Sequence, residues 1–363
     1  MDLRGFIARL DQQGLLRRIE GPVDWRYEIG EITRNHQVPL LFENIKDYPG
    51  RAVFTNGLSC TASIALALGL DAGTSQKSIV REAARRIAVP IKPMIVETGP
   101  VLENVVEADK INFLDLPVPQ WSRLDAGRYI GTWHINVTRD PDTGHRNLGV
   151  YRMQVLGPNR ATVSTSPKSH LGRHLAKAER EQRPLEMAVA IGAGEALMIA
   201  AGAACPEGRD EFDLAGSLQQ QPVRLVKCET VNLEVPADAE IVIEGLIQFG
   251  VRLPDGPYFD YAGKPTTNRK AFVFEATRLM FRNQPIFRGA AVGHPGAEDQ
   301  QLFSLLSKLN LFDFHNSRTR HWIETKLIRA ELFRAFQFAG RITTSSLRRW
   351  KKAEVLASPT REK

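Results

Sequence analysis

Cysteine is scarce in this chain: Cys60, Cys205 and Cys228 lie far apart, and no CxxC pair occurs. A sparse, odd set argues against a disulfide framework or a structural zinc site. It leaves the thiols as small buried hydrophobes. Long apolar runs are missing too. None approaches the roughly 20 residues needed to span a bilayer, so no membrane span is expected. The opening residues, Met1 to Ile7, lack the apolar core and small-residue cleavage site of a signal peptide, which makes the cytoplasm the expected location. No RNP-like aromatic motif, zinc finger, clear helix-turn-helix or internal repeat is present.

What is present is an ordinary globular composition, 43% hydrophobic and 25% charged over 363 residues, with room for two or three domains. The net charge is +7. Much of the excess falls late, in Arg318, Arg320, Lys326, Arg329, Arg334 and the Arg348-Arg349-Trp350-Lys351-Lys352 tail. An anionic cofactor or substrate explains it as well as a nucleic acid does, and no nucleic-acid partner is expected.

Hydrophobic spacing divides the chain into three. Phe6, Ile7 and Leu10 recur at helical spacing, Ala52 to Phe54 reads as a strand, and Gln76 to Ile87 as an amphipathic helix. Prolines 90, 93, 100, 117 and 119 then interrupt the pattern, and a boundary is placed near residue 112. From Ile130 to Val137 a strand is expected. Pro141-Asp142-Thr143-Gly144 is a turn signal, and Asn147 to Leu156 is the returning strand. Ala161 to Ser166, Ala188 to Gly192, Val223 to Cys228, Ile241 to Ile247 and Lys270 to Arg278 are further strands. A helix is expected to start near Pro167 with Ser166 as its N-cap, and another covers Glu195 to Ala201. After Asp299 the chain reads as helical, ending in a basic, frayed tail. Segregated strands and helices imply an α+β fold: an N-terminal α/β unit (1–112), a β-rich core domain (113–300) and a C-terminal helical segment (301–363).

Four clusters could carry chemistry. Gly192-Ala193-Gly194 follows a strand and precedes a helix, but lacks the third glycine of a dinucleotide fingerprint, so a tight turn is the better account. Ser164-Thr165-Ser166-Pro167-Lys168-Ser169-His170 combines hydroxyls, a cation and a helix start, which suits a phosphate. An ordinary capped helix is the alternative. His170 and His174 are four apart, yet the third ligand and intervening glutamate of a zincin are missing, so His170 alone remains a candidate ligand. Asp255 and Asp260 flank Gly256-Pro257. Two nearby carboxylates can split their protonation, with Arg152 holding one ionised; a decorated surface turn is the alternative.

Taken in order, these segments resemble a known family. His145-Arg146-Asn147-Leu148-Gly149-Val150-Tyr151-Arg152 after the PDTG turn looks like the cofactor strand of the UbiD decarboxylases. Gly208 to Gly216, Val226 to Glu229, Val235 to Glu240 and Asp255 to Asp260 match other parts of that family, which the chain resembles from about residue 1 to 300. The resemblance implies a central split β-barrel, like that of flavin reductases, binding prenylated FMN with Mn²⁺ and often K⁺. Asn147, His170 and Glu211 match the metal ligands. Val150, Tyr151 and Arg152 match cofactor contacts, as do Ser164, Thr165, Ser166 and Ser169. Arg152, Asp255 and Asp260 match the catalytic triad. The implied reaction is non-oxidative, reversible decarboxylation of an aromatic or α,β-unsaturated carboxylic acid, with the flavin as electron sink. Asp260 is the proton donor, and Arg152 and Asp255 position substrate. A flavin prenyltransferase as cofactor supplier and a homo-oligomeric assembly are implied with it.

Two departures stand out. The family usually has Glu where this chain has Asp255, and one methylene less moves a carboxylate by about 1.5 Å. The family's C-terminal α/β domain has no match in residues 301–363, so the expectation is a shortened C-terminal region. A geometric demand follows as well. Asn147 and Arg152 are five apart and would point to opposite faces of a regular strand; an irregularity near Gly149 is therefore expected. The competing readings are an FMN-dependent oxidoreductase on the same barrel, a catalytically impaired member of the family, and a basic nucleic-acid-binding or scaffold protein.

Overall fold

The computed structural model describes residues 1–203, 205 and 208–309; the basic tail and the predicted helical stretch beyond residue 309 lie outside them. The first helix, Leu3–Gln12, starts where the Asp2 carboxylate accepts the Gly5 N–H, and it buries Leu3, Phe6, Ile7 and Leu10. Gln76–Ile87 is helical as its spacing predicts, capped by Ser75. A four-stranded sheet orders Arg17–Ile19, Leu40–Phe42, Ala52–Thr55 and Ile286–Arg288. Its last strand comes from far along the chain. Met94–Ile95 likewise pairs with Arg224–Lys227, and Asn104–Glu107 with the end of Pro265–Phe281. Strand pairing thus crosses residue 112 in both directions.

The core is a seven-stranded antiparallel sheet. Its main path runs Arg160–Val163, Pro265–Phe281, Ile241–Phe259, Leu185–Ile191, His134–Arg139, Arg146–Gly149. The helices His170–Arg180, Glu195–Ala201 and Glu211–Gln219 pack around it. Mixed helices and sheets of this kind make the fold α+β, as the segregated pattern implies.

Five expectations need correction. The strand expected over 130–137 breaks at Thr132-Trp133 into Tyr129–Gly131 and His134–Arg139. The returning strand does not run unbroken from 147 to 156. It leaves the sheet after Gly149 and resumes as Met153–Gln154, paired with Tyr129–Gly131 instead. The helix starts at His170, not near Pro167, because the Ser169 hydroxyl, not Ser166, accepts the N–H two residues inside it, that of Gly172. Two strands were underestimated in length: 241–247 extends to Phe259, and 270–278 extends from Pro265 to Phe281. Gly250, Pro254 and Gly256-Pro257 hid the extension, since they read as strand breakers although Phe249, Val251 and Leu253 keep a period of two.

A buried charge cluster joins these parts. Arg288, 2% exposed, donates from Nε to Glu195 Oε1 at 2.8 Å and from Nη1 to Glu298 Oε1 at 3.0 Å. Glu298 also accepts the Asn56 and Leu58 N–H groups, and Glu195 accepts the Trp133 indole N–H. The guanidinium stacks near Phe54 and Trp133. Replacing Arg288 with Met leaves two carboxylates buried without their cation. The variant should lose about 3–5 kcal/mol of stability, read from its urea unfolding midpoint.

Candidate active site

The hairpin that supplies the first half of the site is closed by Pro141-Asp142-Thr143-Gly144, with Gly144 at φ +73° and its N–H on Asp140 O. Arg139 pairs with Arg146, and Asn136 with Gly149. At Gly149 the strand stops because the Tyr151 ring folds back over it: a Cβ there would lie 2.4 Å from the ring. The Tyr151 N–H goes to Asn136 Oδ1 at 3.0 Å, and its carbonyl accepts from His134 Nε2 at 3.1 Å. Burial pushes His134 down to about 4, so it is neutral and donates through Nε2, a carbonyl being only an acceptor. The expected irregularity is therefore real, but it is a strand break rather than a bulge. It turns Asn147 and Arg152 toward two adjoining clusters.

In the first cluster, His170 Nδ1 lies 2.8 Å from Asn147 Oδ1 and 4.0 Å from Glu211 Oε1. Asn147 and Glu211 are 4% and 1% exposed. Glu211 accepts the Leu148 N–H, and burial pushes its carboxyl up to about 8. The Asn147 amide nitrogen is buried without a partner. A buried carboxyl facing an amide oxygen and an imidazole, with no Lys or Arg among the described residues ion-paired to it, is an environment that a bound cation would relieve. The amide and carboxylate oxygens are hard donors of the kind that suit Mg²⁺, Ca²⁺ or Mn²⁺, and the imidazole adds a borderline nitrogen. Among the described residues no three His, Cys, Asp or Glu side chains converge; this trio is completed by an amide. A cleft of roughly 340 Å³ opens over it, lined also by Arg173 and Arg209. His174 turns away: its Nδ1 meets Thr138 Oγ1 at 3.0 Å and its Nε2 faces Asp140.

The hydroxyls of the 164–169 segment lie at the helix start. Thr165 Oγ1 is 2.6 Å from Ser169 Oγ, which donates to Ser166 O and caps the helix. Ser164 belongs to the other side: its N–H bonds Arg152 O, and its hydroxyl accepts from Asn268. Val150 packs half-buried against the core.

The second cluster is built on Arg152. Its Nε donates to Asp255 Oδ1 at 2.6 Å, and its Nη1 to Asp260 Oδ2 at 3.0 Å and Thr266 Oγ1 at 2.8 Å. Asp255 and Asp260 do not flank a free turn. They stand at the bulged end of the Ile241–Phe259 strand, where the register slips on either side of Asp255. Five residues apart, the two carboxylates would face opposite ways in a regular strand; the slip lets one guanidinium take both. Asp255 is wholly buried, and its second oxygen accepts from Thr162 Oγ1 at 2.6 Å. The Asp260 side chain is 17% exposed. Tyr129 and Tyr258 stack at 4.3 Å beneath the guanidinium. Thr162, Thr266 and Tyr129 escaped sequence reasoning, since strand threonines and tyrosines carry no motif, and 161–163 is buried throughout, so no alternation singles out Thr162.

Residues 94–295 match the model of the 3-octaprenyl-4-hydroxybenzoate carboxy-lyase Rift-related domain, and residues 7–87 that of the matching N-terminal domain. The chain belongs to the UbiD family. It is 34% identical over 328 residues to pyrrole-2-carboxylic acid decarboxylase of Pseudomonas aeruginosa, covering 86% of this chain and 66% of that protein. It is 30% identical over 325 residues to phenolic acid decarboxylase of Bacillus subtilis, covering 86% and 68%. Among solved structures, the UbiD-class enzyme HmfF of Pelotomaculum thermopropionicum in complex with prFMN superposes with a TM-score of 0.77 at 34% identity, covering 85% of this chain and 70% of that one. The closed form of Sedimentibacter hydroxybenzoicus vanillic acid decarboxylase gives 0.81 at 32%, covering 84% and 67%. The chain thus spans about two thirds of the length of these relatives.

Two outcomes test the site's construction. Thr162→Val strips a buried Asp255 oxygen of its donor and should cost about 1–3 kcal/mol, measured by urea unfolding. Burial pushes His174 down to about 4. The unfolded chain takes up that proton near 6.5 and the folded chain does not, so the contribution of His174 is full above about 6.5 and lost as pH falls through about 4. The stability gap between wild type and His174→Gln should narrow over that interval; a constant gap would show that His174 is not held neutral.

Proposed function

We propose that the protein decarboxylates an aromatic or α,β-unsaturated carboxylic acid, non-oxidatively and reversibly, with prenylated FMN. The observation that carries this reading is one guanidinium, Arg152, holding a wholly buried and a reachable carboxylate side by side. It stands five residues from Asn147 in the buried trio. UbiD-family membership and the decarboxylase relatives support it. In this reading residues 113–300 form the flavin-reductase-like split barrel that holds the cofactor, after an N-terminal domain over 1–112.

When bound, the flavin supplies the electron sink for loss of CO₂. Asn147, His170 and Glu211 would hold Mn²⁺, and K⁺ would serve with it; their charge would offset that of the cofactor phosphate. Val150, Tyr151 and the hydroxyls of Ser164, Thr165, Ser166 and Ser169 line the cofactor's course, and Ser169 also fixes the helix start that faces it. Arg152 offers the substrate carboxylate a planar cation. Asp255 is locked by Arg152 and Thr162 and serves to orient that cation. Asp260, the more accessible acid, delivers the proton to the carbon that CO₂ leaves. A flavin prenyltransferase supplies the cofactor, and assembly is as a homo-oligomer.

The protein should be produced alongside a flavin prenyltransferase, and the mass and absorbance spectrum of the released small molecule recorded. Prenylated FMN is expected; retention of plain FMN alone, with no turnover of aromatic or unsaturated acids, would sink the reading. In loaded protein, Asp260→Asn should lower turnover by roughly 10²–10⁴-fold, the usual worth of a positioned general acid. Intact turnover in that variant would point to FMN-dependent oxidoreduction instead.

A further inference from the structure

A third carboxylate stands behind the acid pair. Asp125 is 5% exposed. Its Oδ1 accepts at 2.7 Å from the N–H of Phe259, the residue immediately before Asp260. The next residue, Ala126, donates its N–H to Pro257 O at 2.7 Å. Two consecutive residues of one loop therefore grip two points of the bulged strand end. The Asp125 Oδ2 is buried and has no hydrogen-bond partner. Arg34 and Arg152 act on the carboxyl by charge, while burial pushes it up to about 6.

The loop is itself held rigidly from the N-terminal side. Gln120 Nε2 donates to Asp125 O at 2.9 Å, and Arg34 Nη1 to Trp121 O at 2.9 Å. Tyr27 N–H bonds Gln120 O, and Gln120 N–H bonds Trp25 O. Gly30 lies so close to Trp121 that a Cβ there would sit 1.9 Å from its carbonyl oxygen. From Gly30 to Phe259 the contacts are short and continuous.

We propose that Asp125 is a positioning residue: by gripping the Phe259 peptide it fixes the direction in which Asp260 presents its carboxyl. The proposal rests on the decarboxylase reading for its kinetic consequence, but not for its structural one. Fixing an acid to within a fraction of an ångström is worth far more to the chemical step than to substrate binding. A residue that merely stabilised the fold would change neither ratio selectively.

The test compares Asp125→Ala and Asp125→Asn in the full-length, cofactor-loaded protein. Asp125→Ala should lower kcat by roughly 10²-fold with KM changed by less than about threefold. Asp125→Asn keeps an oxygen acceptor for the Phe259 N–H and should recover most of kcat. Wild-type kcat in both variants, or equal loss in both, would overturn the proposal. Should Asp125→Ala fail to fold, near-wild-type kcat in Asp125→Asn beside a large loss in Asp125→Leu supports it, and a large loss in Asp125→Asn overturns it. Amide exchange separates this idea from the proposed activity. The Tyr261 N–H bonds Asp260 Oδ1 at 2.6 Å and so reports where that carboxyl points. If the wild type turns over no acid, the decarboxylase reading fails alone. Loss of protection at Phe259 and Tyr261 in Asp125→Ala would still support the positioning role, and unchanged protection at both would overturn it.

Discussion

A guanidinium withdrawn from water keeps its proton and must find carboxylates, and that demand at Arg152 organises the site. To serve it, the hairpin strand leaves the ladder at Gly149, and past that break the direction of Arg152 is no longer tied to the alternation that places Asn147. The opposing strand has to slip register beside Asp255, so that two acids five residues apart reach the same cation. Both departures from regular β-structure cost ladder hydrogen bonds, and both are repaired by side chains: Asn136 takes the Tyr151 N–H, and Gln154 takes the Gly256 N–H. Satisfying the backbone in this way is what lets irregular segments persist inside a sheet.

Arg288 meets the same demand with a different result. It too lies between two carboxylates, Glu195 and Glu298, yet all three are sealed and every arm of the guanidinium is occupied. At Arg152 both the guanidinium and Asp260 remain partly open, at 14% and 17%. The two clusters share their chemistry, and access separates a sealed brace from a cluster open to the outside.

Much of this was legible in the residues. The PDTG turn, the helices at 76–87 and 195–201, and the α+β segregation follow from spacing and turn chemistry, which act locally. The grouping of Asn147, His170 and Glu211, and of Arg152, Asp255 and Asp260, came from the ordered resemblance of several segments, since no spacing rule joins residues so far apart. What was not legible depends on tertiary contacts. The strand break at Gly149 is set by a ring two residues on. The shift of the cap from Ser166 to Ser169 reflects competition among four hydroxyls within a few residues. Thr162 and Asp125 became visible as site residues only when the Ile241–Phe259 strand was seen to run on past 247, carrying Asp255 and Phe259 against them.

The strand Ile286–Arg288 completes a sheet whose other members all lie before residue 56. During synthesis, then, the first part of the chain emerges with its sheet unfinished, the edge at Ala52–Thr55 waiting for a partner more than two hundred residues away. Folding in order of emergence is closed to this region. Its closure joins residues more than two hundred apart, a contact of high sequence separation of the kind that slows folding. Until then that edge is a place where a growing chain can pair wrongly.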